Sequence, residues 1–144
     1  MKVILIRHGA TMGNQEKRYI GITDEALCDT GIEKLLKNVH KDIYPAADMI
    51  YVSPMKRCIQ TAQIIYPGRE AVVVDDLKEC DFGRFEGKNY IELSGDSYYQ
   101  KWIDSNATLP FPEGEDIKAF RKDCRSWDLR LRDLRLKLVC DMME

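Results

Sequence analysis

The stretch that decides the fold is VILIRHGATMGN, residues 3–14. Its first four residues are aliphatic and three of them are β-branched, which suits a pleated, packed strand. A buried strand is therefore expected over residues 2–6. It stops on Arg7, His8 and Gly9. Neighbours in a strand face opposite ways, so Arg7 and His8 serve one site only if the chain turns at once. Gly9 permits such a turn because it tolerates backbone angles that other residues avoid. The strand is read as ending where a site begins.

Working outward, the same pattern recurs. Residues 29–41 predict a helix, with Asp29 and Thr30 as cap-type residues and Ile32, Leu35, Leu36 and Val39 at helical spacing. Residues 48–53 predict a second strand. SPMKRCIQTAQIIY, residues 53–66, predicts a helix with Ser53 as N-cap and Pro54 at its first position. Residues 71–76 predict a third strand, 81–89 a loop, and 90–105 a helix. LPFPEGED is a proline-rich loop, and EDIKAFRKDC opens another helix. Strands alternating with helices predict an α/β fold, a three-layer sandwich with a mostly parallel sheet flanked by helices.

Composition narrows the function. The chain has 144 residues, enough for one domain, 1–144, with a modest core. A net charge of −2 gives no bulk attraction for nucleic acid. No apolar run is long enough to span a bilayer, and MKVILIRHG lacks the length and cleavage site of a secretion signal, so no membrane partner and a cytoplasmic location are expected. The five cysteines are widely spaced with no C-x-x-C pair, and only two histidines occur, so reduced thiols and no metal or cofactor are expected.

Two predicted strand ends carry matching chemistry. One holds Arg7 and His8; the other leads through Ser53 and Pro54 to Arg57 in the first turn of its helix. Ligands in α/β sheets sit beyond the C-terminal strand ends, where helix N-termini suit phosphate. Two arginines there offer planar, permanently charged forks for a phosphoryl group. His40 falls on the polar side of its helix and is read as an ordinary surface residue.

RHGATMGN, GITDEALCDTGIEKL, SPMKRCIQTAQII and LKECDFGRFEG follow one another in this order, with PEGEDIKAF after them. The series resembles the histidine phosphatase superfamily, also called phosphoglycerate mutase-like, and its small phosphatase branch in particular, the α-ribazole phosphatases of cobalamin assembly. The resemblance runs over residues 1–122. It implies that His8 is the nucleophile that takes the phosphoryl group. It implies that Arg7, Asn14 and Arg57 bind phosphate, and that Glu79 protonates the leaving group and later activates water. Gly21, Asp24, Leu27 and Gly31 match structural positions. The implied partner is a small phosphorylated metabolite or inorganic phosphate, and the implied reaction is phosphomonoester hydrolysis, with α-ribazole phosphate as one substrate. The alternative is mutase-like phosphoryl transfer.

The tail, residues 123–144, departs from the pattern. The family carries a second catalytic histidine after a late strand, whereas no histidine follows His40 here. A third alternative is therefore a catalytically impaired phosphate-binding protein. The family's late strand lies beside the first one, so its lane in the sheet is expected to be filled either by the alternating tail segment LRLKLVC or by a second chain, in a homodimer through an incomplete sheet edge. The fold is accordingly expected to be C-terminally incomplete, with the tail read as an altered end of a longer gene. CRSWDLR, residues 124–130, also satisfies C-x5-R, but Trp127, Asp128 and Leu129 suit a phosphate-wrapping loop poorly.

Overall fold

The computed structural model describes residues 3–120 and the two-residue strand Leu138–Val139. Its element order is β1 (Leu5–Ile6), α1 (Met12–Gln15), α2 (Asp29–His40), β2 (Tyr51–Val52), α3 (Lys56–Ile65), β3 (Val72–Val73), α4 (Tyr90–Leu93), α5 (Ser97–Asp104) and β4 (Leu138–Val139). Residues 117–120 are helical. The strands form one parallel sheet in the order β1-β4-β2-β3. The expected alternation of strand and helix is what builds this α/β fold.

The lane beside β1 is taken by the tail. Leu5 and Ile6 pair with Leu138 and Val139, which pair in turn with Tyr51 and Val52. Leu138 and Val139, from the chain's own tail, thus supply the strand between β1 and β2.

Strand β1 differs from the buried strand expected. It is shorter, and Leu5 is 52% exposed while Ile6 packs against α2 and α3. Alternating side chains face opposite sides of the sheet, and α2 and α3 cover only the Ile6 side.

Helix α2 starts at Asp29 and ends at His40, within a residue of the range expected, but its cap differs. Its N-cap is Cys28, which makes no side-chain cap, rather than Asp29 or Thr30. Leu35 is buried and Leu36 exposed, so the apolar stripe is narrower than the spacing implied. His40 is exposed, as expected.

Helix α3 begins three residues after Ser53 rather than beside it. The reason is a cap from elsewhere in the chain: Asp24 Oδ1 accepts the Lys56 N–H at 2.7 Å. A carboxylate there satisfies an otherwise orphaned N–H and favours the positive end of the helix dipole. Arg57 still falls in the first turn.

The helix expected over 90–105 is two helices. Asp96 stops the first from continuing, because its carboxylate caps the second by accepting the Tyr98 and Tyr99 N–H groups at 2.7 and 3.2 Å. These helices help to close a second core of Phe82, Phe85, Leu93, Tyr99, Trp102, Phe111 and Ile117. Its rings meet mostly edge to face, Phe85 against Tyr99 at 5.3 Å and Phe82 against Phe111 at 4.9 Å. Cys80, Phe82 and Phe85 anchor the 79–87 segment in this core.

Candidate active site

His8 follows β1 in the loop that leads to α1. Its Nδ1 lies 2.6 Å from the Gly9 carbonyl oxygen. A carbonyl can only accept, so Nδ1 carries a hydrogen, and in the neutral imidazole the lone pair then sits on Nε2. Gly9 serves here by its size rather than by its backbone angle. Its φ lies outside the left-handed region, and a Cβ would come 2.7 Å from Leu35 Cδ1.

A buried hydroxyl ties this loop to α3. Gly9 N–H donates to Thr61 Oγ1 at 3.0 Å, and that hydroxyl donates to the Arg57 carbonyl at 2.7 Å. Thr61 and Arg57 are both fully buried. One side chain therefore fixes the residue after His8 relative to the residue that carries the second arginine.

The Arg57 guanidinium is held by the 21–23 segment. Nη2 donates to Gly21 O at 2.8 Å and Nη1 to Thr23 O at 2.9 Å. A buried charge needs such partners, because desolvation otherwise costs several kcal/mol. The 21–23 segment also touches the Glu79 segment: a Cβ on Gly21 would stand 2.0 Å from the Cys80 carbonyl oxygen. Glu79 is itself buried, and its Oε1 accepts the Cys80 N–H at 2.9 Å.

Asn14 lies in α1, to which this loop leads. Its Oδ1 accepts from Thr11 N–H and Thr11 Oγ1 at 3.0 and 3.1 Å, in a reciprocal cap of α1. With Oδ1 so engaged, Nδ2 is the end turned away from the cap, and it is a donor. Arg7 is exposed at the C-terminal end of β1, the residue before His8. Among the expected residues, then, His8 and Arg57 are linked through Thr61, and Arg57 and the Glu79 segment through Gly21. Asn14 is held beside Thr11, and Arg7 is presented to solvent. No metal-ligating cluster occurs among the described residues.

Residues 3–135 match the sequence profile of the Histidine phosphatase superfamily (branch 1). The chain belongs to that superfamily. It is 28% identical over 139 residues to the adenosylcobalamin/alpha-ribazole phosphatase of Escherichia coli, covering 92% of this chain and 68% of that protein. It is 31% identical over 148 residues to a 2,3-bisphosphoglycerate-dependent phosphoglycerate mutase of Corynebacterium efficiens, covering 92% of this chain and 56% of that protein. Among solved structures, the phosphoserine phosphatase of Entamoeba histolytica in complex with 3-phosphoglyceric acid superposes with a TM-score of 0.83 at 31% identity, covering 98% of this chain and 73% of that one. The chain thus spans between about half and two-thirds of the length of these two curated relatives. The phosphoglycerate mutase-like fold expected from the motif series is the fold found.

Three residues of this superfamily member's site were not marked by the sequence reading: Thr61, Thr23 and Glu86. Thr61 had a usable signal. It lies on the α3 face that also carries Cys58, Ala62 and Ile65, all buried. A hydroxyl on an apolar stripe calls for partners. Glu86 had none, because three of its four donors come from residues 21–23, more than sixty positions earlier.

Proposed function

We propose that this chain transfers phosphoryl groups from small phosphorylated metabolites through His8, with hydrolysis as the net reaction. The observation that carries the proposal is the link from His8 to Arg57: His8 Nδ1 donates to the Gly9 carbonyl, and the Thr61 hydroxyl ties the Gly9 N–H to the backbone carbonyl of Arg57, whose buried guanidinium is held by residues 21 and 23. Phosphoryl transfer asks a protein chiefly for positioning and for charge opposite the equatorial oxygens. Arg57 supplies fixed positive charge, Arg7 an exposed fork at the strand end, and Asn14 Nδ2 a neutral donor.

The chemistry runs in two steps. His8 Nε2 attacks phosphorus with its lone pair, the P–O ester bond breaks, and the leaving oxygen takes a proton from the Glu79 carboxyl. Water then gives a proton to the Glu79 carboxylate as it attacks the phosphohistidine. The N–P bond breaks, and inorganic phosphate leaves. One difficult displacement becomes two easier ones.

The relatives named as α-ribazole and phosphoserine phosphatases favour hydrolysis of a small phosphomonoester, and α-ribazole phosphate is the substrate proposed first. The relative named as a mutase favours the alternative, return of the phosphoryl group to a second hydroxyl. A further reading, phosphate capture with impaired turnover, has its own observation: the chain's other histidine, His40, lies at the exposed end of α2, so His8 is the histidine at this site. The homodimer expected as the other filler of the sheet lane remains a proposal for the assembled protein.

Hydrolysis of p-nitrophenyl phosphate tests the proposal. His8→Ala is expected to abolish turnover. Glu79→Gln is expected to lower kcat by roughly 10²–10⁴ with an unactivated alkyl phosphate, as for loss of a general acid, and by less with the nitrophenyl ester. Full activity in the His8→Ala protein ends the proposal. Orthovanadate binding without hydrolysis selects the phosphate-capture reading.

A further inference from the structure

We propose that Glu86 is a positioning residue that holds the phosphate-binding arginine and the acid in one frame; this rests on the roles just given to Arg57 and Glu79. The Glu86 carboxylate gathers four donors from two separate segments. From the first, it accepts the Gly21 N–H (3.0 Å to Oε1 and 3.2 Å to Oε2), the Ile22 N–H at 3.0 Å and the Thr23 hydroxyl at 2.6 Å. From the second, it accepts the Phe82 N–H at 3.1 Å. Four donors match the lone-pair capacity of one ionised carboxylate.

The arrangement has a direction. Residues 21 and 22 turn their N–H groups to Glu86, while the carbonyls of residues 21 and 23 turn to Arg57. Peptide dipoles thus lie between an anion and a cation and are aligned by both. Glu86 and Arg57 hold the segment from its two sides, so the orientation of the guanidinium depends on a carboxylate that does not touch it. The Phe82 bond extends the same control to the acid, because Phe82 lies three residues after Glu79 and follows the Cys80 carbonyl on which Gly21 packs. On the other side of that segment, Glu115 Oε2 accepts the Asp81 N–H at 2.8 Å. The backbone after Glu79 is therefore clamped between two carboxylates, and only Glu86 also reaches the Arg57 cradle.

A glutamine keeps an oxygen for the three N–H groups on Oε1, but its NH2 replaces Oε2: it confronts the Gly21 N–H, the Thr23 hydroxyl must turn to accept instead of donate, and the negative charge that aligns the segment is lost. Aspartate keeps the charge but is one methylene shorter, and restores part of the function.

The test compares wild type, Glu86→Gln, Glu86→Asp and Thr23→Val. It reads the Kd for orthovanadate, the kcat ratio for p-nitrophenyl and phenyl phosphate, and the melting temperature. The expected result is about tenfold weaker vanadate binding in Glu86→Gln, with phenyl phosphate slowed more than the nitrophenyl ester and partial recovery in Glu86→Asp. A lower melting temperature with an unchanged Kd and an unchanged ratio shows a purely structural role and overturns the proposal. If Glu86→Gln does not fold, Thr23→Val decides, since it removes the 2.6 Å bond to Glu86 alone. About threefold weaker vanadate binding is expected there, as a fraction of the Glu86→Gln loss, and an unchanged Kd overturns the proposal. Wild type that binds no vanadate overturns the phosphate site itself and this proposal with it. Tight wild-type binding that Glu86→Gln leaves intact removes only the role of Glu86.

Discussion

Thr61→Val isolates the bond on which the His8–Arg57 geometry rests. The side chains match in shape, so the change removes a hydroxyl and little else. In the folded protein, that hydroxyl accepts from the Gly9 N–H at 3.0 Å and donates to the Arg57 carbonyl at 2.7 Å. The carbonyl keeps its place in the helix ladder, but the Gly9 N–H is left buried with a methyl group in front of it. A buried donor that loses its partner costs about 1–3 kcal/mol. At roughly 4 °C per kcal/mol for a domain of this size, the melting temperature should fall by about 8 °C for a 2 kcal/mol loss. Thr61→Ser is the control, because it keeps the hydroxyl and gives up one buried methyl, worth about 1 kcal/mol. Urea and thermal unfolding of the three proteins should rank wild type first, serine second and valine last. Valine as stable as serine or more so would refute the bridge. Turnover should follow the same order, since the displaced group is the neighbour of the nucleophile.

The remaining predictions concern other parts of the fold. Gly31→Ala places a Cβ 2.3 Å from the Ala10 carbonyl oxygen, so α2 must move off the His8 loop; a loss of roughly 3 kcal/mol or more is expected in urea unfolding. Cys80 is fully buried, and burial first, then Glu115, pushes its thiol well above the ordinary value. It should resist iodoacetamide at pH 8 in the native protein and react in urea, read by mass spectrometry. Asp96 is held below the ordinary aspartate value of 3.8, first by the Tyr98 N–H and then by the Tyr99 N–H. A depressed carboxylate stabilises the fold above its unfolded value and loses that effect as pH falls through its folded one. Asp96→Asn keeps a capping oxygen without the charge, so it should be less stable than wild type near neutral pH, and urea unfolding followed by circular dichroism at a series of pH values should show that difference shrinking as the pH falls through the acid range.

The positions of His8 and Arg57 were legible because local rules set them. RHG after a β-branched run marks a strand end, and Arg57 in the first turn of α3 follows from the SP signal even though the helix starts later than that signal implied. The later start has a tertiary cause: Asp24, far back in the chain, caps α3 in place of Ser53. The split between α4 and α5 was written in GDS, with Gly95 and Asp96 before Ser97, but helical spacing on both sides masked it. The role of Glu86 was not legible, because a carboxylate in a glycine-flanked loop is usually solvated. What sets it apart is the meeting of residues 21–23 with residue 82, which only the folded chain supplies. The spacing in the tail fits strand and helix alike, so it did not decide; in the fold Leu138–Val139 is a strand between β1 and β2.

The most direct measurement is on His8 itself. The protein is mixed with p-nitrophenyl phosphate, quenched within milliseconds in alkali, and digested for mass spectrometry. The account predicts a phosphoryl group on the peptide that contains His8, stable to alkali, labile to acid, and absent from His8→Ala. Nitrophenol release with the phosphoryl group on another residue, or with none on the protein at any time, would contradict it.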